Sequence, residues 1–267
     1  MSQYDELICK INTLKSRNIN IVTNAFFTTQ QLHSMIDSNE ATVKISDDAV
    51  VILVEEERLV RLYFYAVTFN SLKQISNLLP SPTSKAIIAD VVGRNPQARK
   101  LAYELQKLNF YKQNEFIRMN RKPQENMPVT VSDVLFATAD NVNEIVNILY
   151  DEFDVYTSHL PTEERILKSI TNKEITIVLQ QEKIVGLAYF EKLGERLKYL
   201  YLIVVDKNFR GKGIANRLLM YTFGHSSKNT NFQLWVETNN QLAISLYKKY
   251  NFIPNGLVDY IMMYKGE

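Results

Sequence analysis

The sequence predicts an α/β fold in which a mixed sheet is flanked by helices. The chain has 267 residues, more than one average domain of about 150 residues requires but fewer than two. Its 46% hydrophobic content can form a substantial core, which argues against disorder, a collagen-like repeat or a coiled coil. In the second half, strand-like alternation and helix-like periodicity follow one another along the chain, which indicates a sheet covered by helices.

The predicted elements of the second half follow from these two periodicities and from turn residues between them. We expect strands over 134–138, 175–180, 184–191, 197–205, 232–237 and 260–264, and helices over 140–150, 163–170, 213–223 and 240–250.

A break between the two halves lies at 121–130, where two prolines and mixed polar residues separate two hydrophobically patterned stretches. We therefore predict a first domain over 1–122, a linker over 123–131 and a second domain over 132–267.

The composition excludes several functional classes. Lys and Arg total 31 and Asp and Glu total 29, so the net charge of +2 gives no field strong enough to indicate nucleic acid or an anionic membrane as a partner. Any anion site must be local. The single cysteine, Cys9, and the three scattered histidines His33, His159 and His225 predict no internal disulfide and no metal centre.

The first fifteen residues carry Asp5, Glu6 and Lys10, where a secretory signal would need an unbroken apolar core. No later segment reaches the roughly 18 apolar residues of a membrane span. We expect a protein of the reducing cytoplasm.

An internal repeat relates the two halves. Residues 52–65 align without a gap on 177–190, and the helix end Leu108-Asn109-Phe110 matches Tyr250-Asn251-Phe252. The offset grows from 125 to 142 between these blocks, so we expect the first half to have lost about seventeen residues opposite the fourth strand and its glycine turn. Chance similarity between two generic hairpins is the alternative.

The motif that carries chemistry begins at Tyr199, where an apolar strand leads through Arg210-Gly211-Lys212-Gly213 into a helix. Such a turn points several backbone N–H groups at one place, and the helix N-terminus favours an anion there. Glycine lets a diphosphate approach the backbone, and the two cations add charge at the rim. The spacing matches neither a Walker loop nor a dinucleotide fingerprint.

These residues resemble the GNAT acetyltransferase superfamily, whose acyl-coenzyme A loop follows [R/Q]-x-x-G-x-[G/A] after a strand that ends in Val. Here the pattern is Arg210-Gly211-Lys212-Gly213-Ile214-Ala215, preceded by Val205. Downstream, the family pattern N-x-x-A-x-x-[LF]-Y-x-x-x-G-F is matched by Asn240, Ala243, Leu246, Tyr247 and Phe252. Asn251 stands where the family usually has glycine, a mild departure because Asn tolerates the left-handed conformation of a helix end.

The resemblance covers about residues 134–265, and the internal repeat extends it to the first half. Together they imply two GNAT-like domains with a mostly antiparallel mixed sheet, the first of them lacking the acyl-coenzyme A loop. The resemblance implies acetyl-CoA as co-substrate, held by the backbone around Ile203 and Val205, by residues 210–215 and by Asn240. In the family, the tyrosine at the position of Tyr247 protonates the departing thiolate. All of these residues also suit a purely structural role.

The resemblance assigns no general base to this chain, because Tyr199 and Tyr201 stand where some members of the family have a glutamate. Glu237, at the end of the next predicted strand, is the candidate replacement, acting directly or through water. Trp235 shares its face and is a candidate wall of the acceptor pocket, and His159 lies in a connection that borders that pocket in the family.

The resulting expectation is an N-acetyltransferase that acts on a small-molecule or peptide amine, with no nucleic acid or membrane partner and an unknown oligomeric state. The alternative is a non-catalytic acyl-CoA-binding regulatory module.

Overall fold

The computed structural model of the protein describes residues 2–80, 85–124 and 131–265. The chain forms two compact units, the first made of Met1–Phe116 and Gly256–Glu267 and the second of Ile117–Asn255. Most of the predicted linker 123–131 lies outside the described residues, and the predicted domain boundaries stay a prediction. The compact units differ from those domains in two respects: residues 117–122 belong to the second unit, and the end of the chain belongs to the first.

The first unit is built from helices and strands that alternate along the chain. In order they are α1 (Gln3–Arg17), β1 (Val22–Thr23), α2 (Thr29–Asp37), β2 (Ala41–Ile45), β3 (Ala49–Glu55), β4 (Leu59–Ala66), α3 (Lys73–Leu78), β5 (Ala86–Arg94) and α4 (Asn95–Gln106). Strand β6 (Phe110–Arg121) follows α4.

The second unit contains the elements that the sequence predicts, with ends shifted by a few residues. They are β7 (Val134–Phe136), α5 (Val142–Glu152), α6 (Glu163–Thr171), β8 (Ile175–Gln180), β9 (Lys183–Lys192), β10 (Leu197–Val205), α7 (Ile214–Gly224), β11 (Asn231–Glu237) and α8 (Gln241–Lys249). Among the residues described, none of the helices combines the length and apolar character that crossing a bilayer requires.

Strand β12 (Ile253–Tyr264) starts well before the predicted 260. The sequence does not predict the first part of this strand, because it contains Pro254, Asn255 and Gly256, residue types that are rare inside strands. Gly256 has a φ of 85°, a left-handed conformation that favours glycine. From Leu257 to Met263 the strand pairs with β5, from Arg94 back to Ile88, in antiparallel register.

The strands of the two units follow the same plan, which confirms that the two halves share one fold. In the first unit β2, β3 and β4 pair antiparallel in chain order, and β4 then pairs parallel with β5. In the second unit β8, β9 and β10 pair antiparallel, and β10 then pairs parallel with β11. In both, the parallel partner follows after a crossover helix, α3 or α7.

This topology corrects the expected deletion. By its place in the sheet, the β3–β4 hairpin is equivalent to the β9–β10 hairpin. The sequence alignment of 52–65 with 177–190 instead matched β3–β4 to the β8–β9 hairpin. Because buried hairpin strands share the same apolar pattern, a few chance identities were enough to shift the sequence alignment by one strand. The fourth strand of the first half is therefore present as β4. The residues between β4 and α3, 67–72, contain no glycine, so the glycine turn is the part that is lacking.

The second block of the repeat is confirmed. Asn109 follows α4 with a φ of 63°, and Asn251 follows α8 with a φ of 62°. Both asparagines adopt the left-handed conformation that ends a helix.

Apolar side chains are buried on both faces of the second unit's sheet. On one face α7 and α8 contribute to a core that includes Leu200, Leu234 and Val236, which we call the α7 face. On the other, α5 and α6 pack with Leu202 and Val204, which we call the α5 face.

A buried charge cluster lies in the first unit where β4, β5 and β12 meet. Arg61 is 1% exposed; its Nε lies 3.2 Å from Glu56 Oε1 and its Nη1 3.3 Å from Asp90 Oδ2. Asp259 lies nearby and is half-buried; its Oδ1 is inaccessible to solvent and has no hydrogen-bond partner among the described residues. Burial, followed by the negative charge of Asp90, raises the pKa of Asp259 well above its usual value, against the opposing effect of Arg61.

Replacing Asp259 by Asn should stabilise the protein more at about pH 8 than at about pH 5. A carboxyl with a raised folded pKa binds a proton more tightly when folded, so its contribution to stability is lost as the pH rises from about 4 through the folded value. The gain at pH 8 should be about 1–3 kcal/mol, the usual penalty of a buried unpaired polar group. Urea unfolding at both pH values measures it, with exposed Asp47→Asn as control. An equal gain at both pH values would contradict this.

Candidate functional site

The site is built where the parallel strands β10 and β11 separate. Their ladder runs from Leu197 opposite Asn231 to Leu200 opposite Leu234, while β10 continues to Val205. Beyond Leu200, β10 keeps its antiparallel pairing with β9, in which Ile203 faces Ala188 and Val205 faces Gly186. The edge of β10 turned toward β11 therefore presents backbone N–H and C=O groups to the widening gap.

A bulge marks the point of separation. The register of β10 against β9 shifts between Leu200 and Leu202, so Tyr201 is an extra residue in the strand. Such a bulge bends its strand and increases the local twist, which helps to turn the end of β10 away from β11. Ile203 and Val205 then lie against the core of the α7 face.

The bend after β10 has the geometry that its glycines predict. Gly211 has a φ of 78° and Gly213 a φ of 75°, both in the left-handed region. A Cβ at Gly211 would meet no described atom within 4 Å, and one at Gly213 would lie 3.8 Å from Arg217 Nη1. The space beside the two glycines is therefore open.

Helix α7 begins at this bend with Ile214 and Ala215. Its N-cap is Gly213, and in the described structure no side chain caps the helix. The first N–H groups of a helix have no intrahelical acceptor and carry the positive end of its dipole. The bend therefore offers several backbone donors and a favourable potential to an anion.

The cations of the bend are partly engaged by the protein. Arg210 donates from Nε to the Val205 carbonyl at 3.0 Å and from Nη2 to Glu152 Oε2 at 2.8 Å, so it braces the bend against β10 and α5. Lys212 Nζ lies 4.6 Å from the centre of the Phe209 ring. Lys212 is the less constrained of the two cations, and a contact of either with a diphosphate stays a prediction.

A glycine in β9 fixes how closely α7 approaches the sheet. Gly186 pairs with Val205, and a Cβ built on it would lie 2.5 Å from Ile214 Cγ2. Any side chain here would push the first turn of α7 outward, and with it the bend. No sequence motif points to Gly186, because the requirement comes from tertiary packing.

Gly186→Ala should destabilise the protein by about 1–3 kcal/mol, the cost of overpacking a tight interior. Gly93→Ala is the matched control, because this strand glycine also faces a helix but its Cβ would meet Ala98 Cβ at an ordinary 3.5 Å. Chemical denaturation of both variants measures the difference. Equal stabilities would show that α7 shifts freely.

Helix α8 holds two of the predicted residues. Asn240 is its N-cap, and its Oδ1 accepts a hydrogen bond from the Ala243 amide at 3.0 Å; this structural role leaves the amide nitrogen of the side chain for a ligand. Tyr247 lies in the core of the α7 face, 5% exposed, with its ring against Phe252. In the described part of the chain its hydroxyl makes no hydrogen bond, and burial raises the pKa of Tyr247 well above its usual value. The phenol therefore keeps its proton and has a free donor.

Glu237 and Trp235 point to the opposite face from Tyr247. Side chains alternate along β11, and Val236 lies in the α7-face core, so its two neighbours in the strand point toward the α5 face. Glu237 Oε1 accepts a hydrogen bond from Asn239 Nδ2 at 3.0 Å. Trp235 lies beside Arg118, whose guanidinium carbon is 5.9 Å from the ring centre. The two predicted catalytic residues are thus on opposite sides of the sheet.

The structure adds a polar network at the bulge that sequence reasoning missed. The Tyr201 hydroxyl donates to the His159 carbonyl, and Arg165 lies over the Tyr201 ring at 4.7 Å. Arg165 Nη2 also donates to Glu191 Oε1 at 2.9 Å. Burial raises the pKa of Tyr201 to about 12, so this phenol is protonated at neutral pH. These partners are far apart in the sequence, and only the folded sheet brings them together.

Comparison with known proteins places the site in a family context. Residues 142–252 match the family described as Acetyltransferase (GNAT) family. No curated protein was found to match the sequence. The solved structures that resemble the chain show its fold, since all of those compared below are at most 12% identical to it.

A GCN5-related N-acetyltransferase from Sphaerobacter thermophilus superposes with a TM-score of 0.56 at 12% identity, over 88% of this chain and 85% of that one. One from Kribbella flavida gives 0.54 at 12% identity, over 89% and 93%. A tandem GNAT protein from the clavulanic acid biosynthesis pathway, solved without AcCoA, gives 0.52 at 10% identity, over 84% and 82%.

Proposed function

We propose that the protein transfers the acetyl group of acetyl-CoA to a primary amine by direct attack, because residues 142–252 match the acetyltransferase (GNAT) family. The observation that carries this proposal is the separation of β10 from β11 next to an open, glycine-lined helix N-terminus. A strand edge and an anion site then lie in line, as an extended thioester with a diphosphate at one end requires.

The residues of the bend fit coenzyme A. The backbone donors of residues 211–215 and the start of α7 would hold the diphosphate, with Arg210 and Lys212 at the rim. The free edge of β10 around Ile203 and Val205 would pair with the amides of the pantetheine arm. Asn240 would add a side-chain amide from α8.

The chemistry needs charge stabilisation at the thioester. Attack by an amine creates negative charge on the carbonyl oxygen, and a fixed backbone N–H of β10 stabilises that charge more in the transition state than in the ground state. The Tyr247 hydroxyl, which makes no hydrogen bond within the described residues, would supply the proton for the departing thiolate. Its raised pKa keeps that proton on the oxygen until the thiolate forms.

The acceptor would approach from the α5 face, where Trp235, Arg118 and Glu237 lie and where His159 contacts the bulge. An ammonium must lose a proton before attack, which for a lysine-like amine costs about 4–5 kcal/mol at neutral pH. Glu237 is the proposed base, acting directly or through a water molecule.

A second candidate function is a non-catalytic acyl-CoA-binding module. The observation that favours it is Tyr201, which stands where some relatives have a glutamate and whose hydroxyl is bound to the His159 carbonyl. Cofactor titration combined with a thiol-release assay over amino acids, polyamines, peptides and aminoglycosides distinguishes the two. Release with any amine supports the enzyme, and binding without release for every acceptor supports the module.

Gly211→Ala should weaken acetyl-CoA binding by at least about 10-fold, because the added methyl group fills the open space beside the bend. Gly194→Ala is a closely matched control, since Gly194 has a φ of 77° and equally open surroundings. Both variants should lose about 1 kcal/mol of stability to backbone strain. Calorimetric titration measures the affinity, and an equal effect of both variants would argue against binding at the bend.

Tyr247→Phe should lower kcat by about 100-fold or more, as expected for loss of a general acid. The affinity for acetyl-CoA should be unchanged, because the ring remains in place. Stability should also be unchanged, since the hydroxyl makes no hydrogen bond within the described residues. Tyr221→Phe is the control, a half-buried tyrosine stacked on His225 at the far end of α7. Full turnover in Tyr247→Phe, with chemistry rate-limiting, would refute the role.

A further inference from the structure

The first unit contains the same strand separation as the second. Its parallel ladder between β4 and β5 runs from Leu59 opposite Ala86 to Arg61 opposite Ile88, while β4 continues to Ala66. One edge of β4 pairs with β3 up to Ala66. The other edge, beyond Arg61, faces a gap of the kind that is open beside β10.

In the first unit, this gap is filled by the chain itself. Strand β1 pairs antiparallel with the end of β4, with Val22 opposite Ala66 and Thr23 opposite Tyr65. Because β3 occupies one edge of β4, β1 lies on the edge that β5 has left. Thr23 Oγ1 also donates to the Phe64 carbonyl at 2.6 Å.

Asn24 completes the filling and bridges the two separated strands. Its Nδ2 donates to the Leu62 carbonyl of β4 at 2.9 Å and to the Asp90 carbonyl of β5 at 3.1 Å. Its Oδ1 accepts from the Phe64 amide at 2.9 Å. The side chain is 4% exposed, so one buried carboxamide satisfies backbone groups that the separation leaves without a strand partner.

The filling segment has a counterpart in the second unit that behaves differently. Residues 22–24 lie between α1 and α2, as residues 153–162 lie between α5 and α6. The latter form no strand, and the Tyr201 hydroxyl of β10 donates to their His159 carbonyl. Residues 22–24 therefore lie in the gap of the first unit, whereas residues 153–162 add no strand to the gap of the second.

We propose that residues 22–24 are a built-in occupant of the first unit's gap, in the place that a pantetheine arm would take in the second. The Asn24 carboxamide offers β4 the donor and acceptor that a pantetheine amide would offer. With no glycine between β4 and α3, the first unit also lacks the bend that would hold a diphosphate. The chain therefore binds one acyl-CoA, through the second unit alone, a conclusion that rests on the function proposed above for that unit.

The stoichiometry of acetyl-CoA binding tests this conclusion. Calorimetric titration should give one equivalent for the unaltered protein and for Gly194→Glu, and none for Gly211→Glu, which places a carboxylate at the bend. Two equivalents, or one equivalent that survives Gly211→Glu, would overturn the proposal. If the unaltered protein binds no acetyl-CoA, the proposed function of the second unit is wrong. Hydrogen exchange, described next, then tests separately whether residues 22–24 fill the gap of the first unit.

Hydrogen exchange tests the occupant directly. Asn24→Ala should speed exchange of the Phe64 amide about 10-fold, the change that loss of one buried hydrogen bond produces, and exposed Asn20→Ala should leave it unchanged. Acetyl-CoA should slow exchange across 202–215 and leave 62–66 unaffected. Unchanged exchange of Phe64 in Asn24→Ala, or ligand protection of 62–66, would show that the gap is not filled as proposed. Circular dichroism of both variants checks that they are folded.

Discussion

Both units depend on a parallel strand pair that stays together for only three or four residues. A strand that leaves its partner exposes N–H and C=O groups, and such groups are stable in a folded protein only when a ligand, water, a side chain or another strand satisfies them. Beside β10, the described residues add no further strand to this edge, which lies next to the bend proposed to hold a diphosphate. Beside β4, the edge is satisfied by β1 and Asn24. The chain itself therefore meets this backbone constraint in the first unit, and in the second unit the same constraint leaves the edge on which acyl-CoA is proposed to bind.

The open gap has local causes that belong to its own residues. The extra residue Tyr201 turns the end of β10, and Gly211 and Gly213 accept left-handed conformations that other residues would adopt only with strain. Gly186 lets Ile214 pack directly on β9, so the first turn of α7 lies close against this strand. The bend that precedes α7 is thereby held at the end of β10. The proposed ligand site therefore rests on backbone geometry, and side chains would add charge and protons at its margins.

Sequence reasoning worked where the requirement is local. The glycines of the bend and the left-handed Asn251 follow from backbone rules that act within a few residues, and the elements of the second half follow from their periodicity. It failed at the β3–β4 hairpin, because apolar strands carry too little information to fix which hairpin matches which. It also missed Arg165, Gly186 and the role of Asn24, whose partners are chosen by the sheet rather than by spacing along the chain. The assigned roles of Glu237, Asn240 and Tyr247 rest on the family resemblance, and the structure supplies only their surroundings.

The surroundings of Tyr247 and Glu237 suit a reaction whose two proton transfers take place on opposite faces of the sheet. Tyr247 lies on the α7 face in an apolar core, where a phenol stays protonated and a newly formed thiolate would be poorly solvated until it receives a proton. Glu237 and Trp235 point to the α5 face, which carries the polar groups Arg165, Glu191 and Tyr201. Proton removal from an incoming amine and proton delivery to a departing sulfur are opposite tasks, best separated so that acid and base do not neutralise each other. In the proposed reaction, the thioester would lie in the strand gap, so that the base on the α5 face and the acid on the α7 face would stay apart.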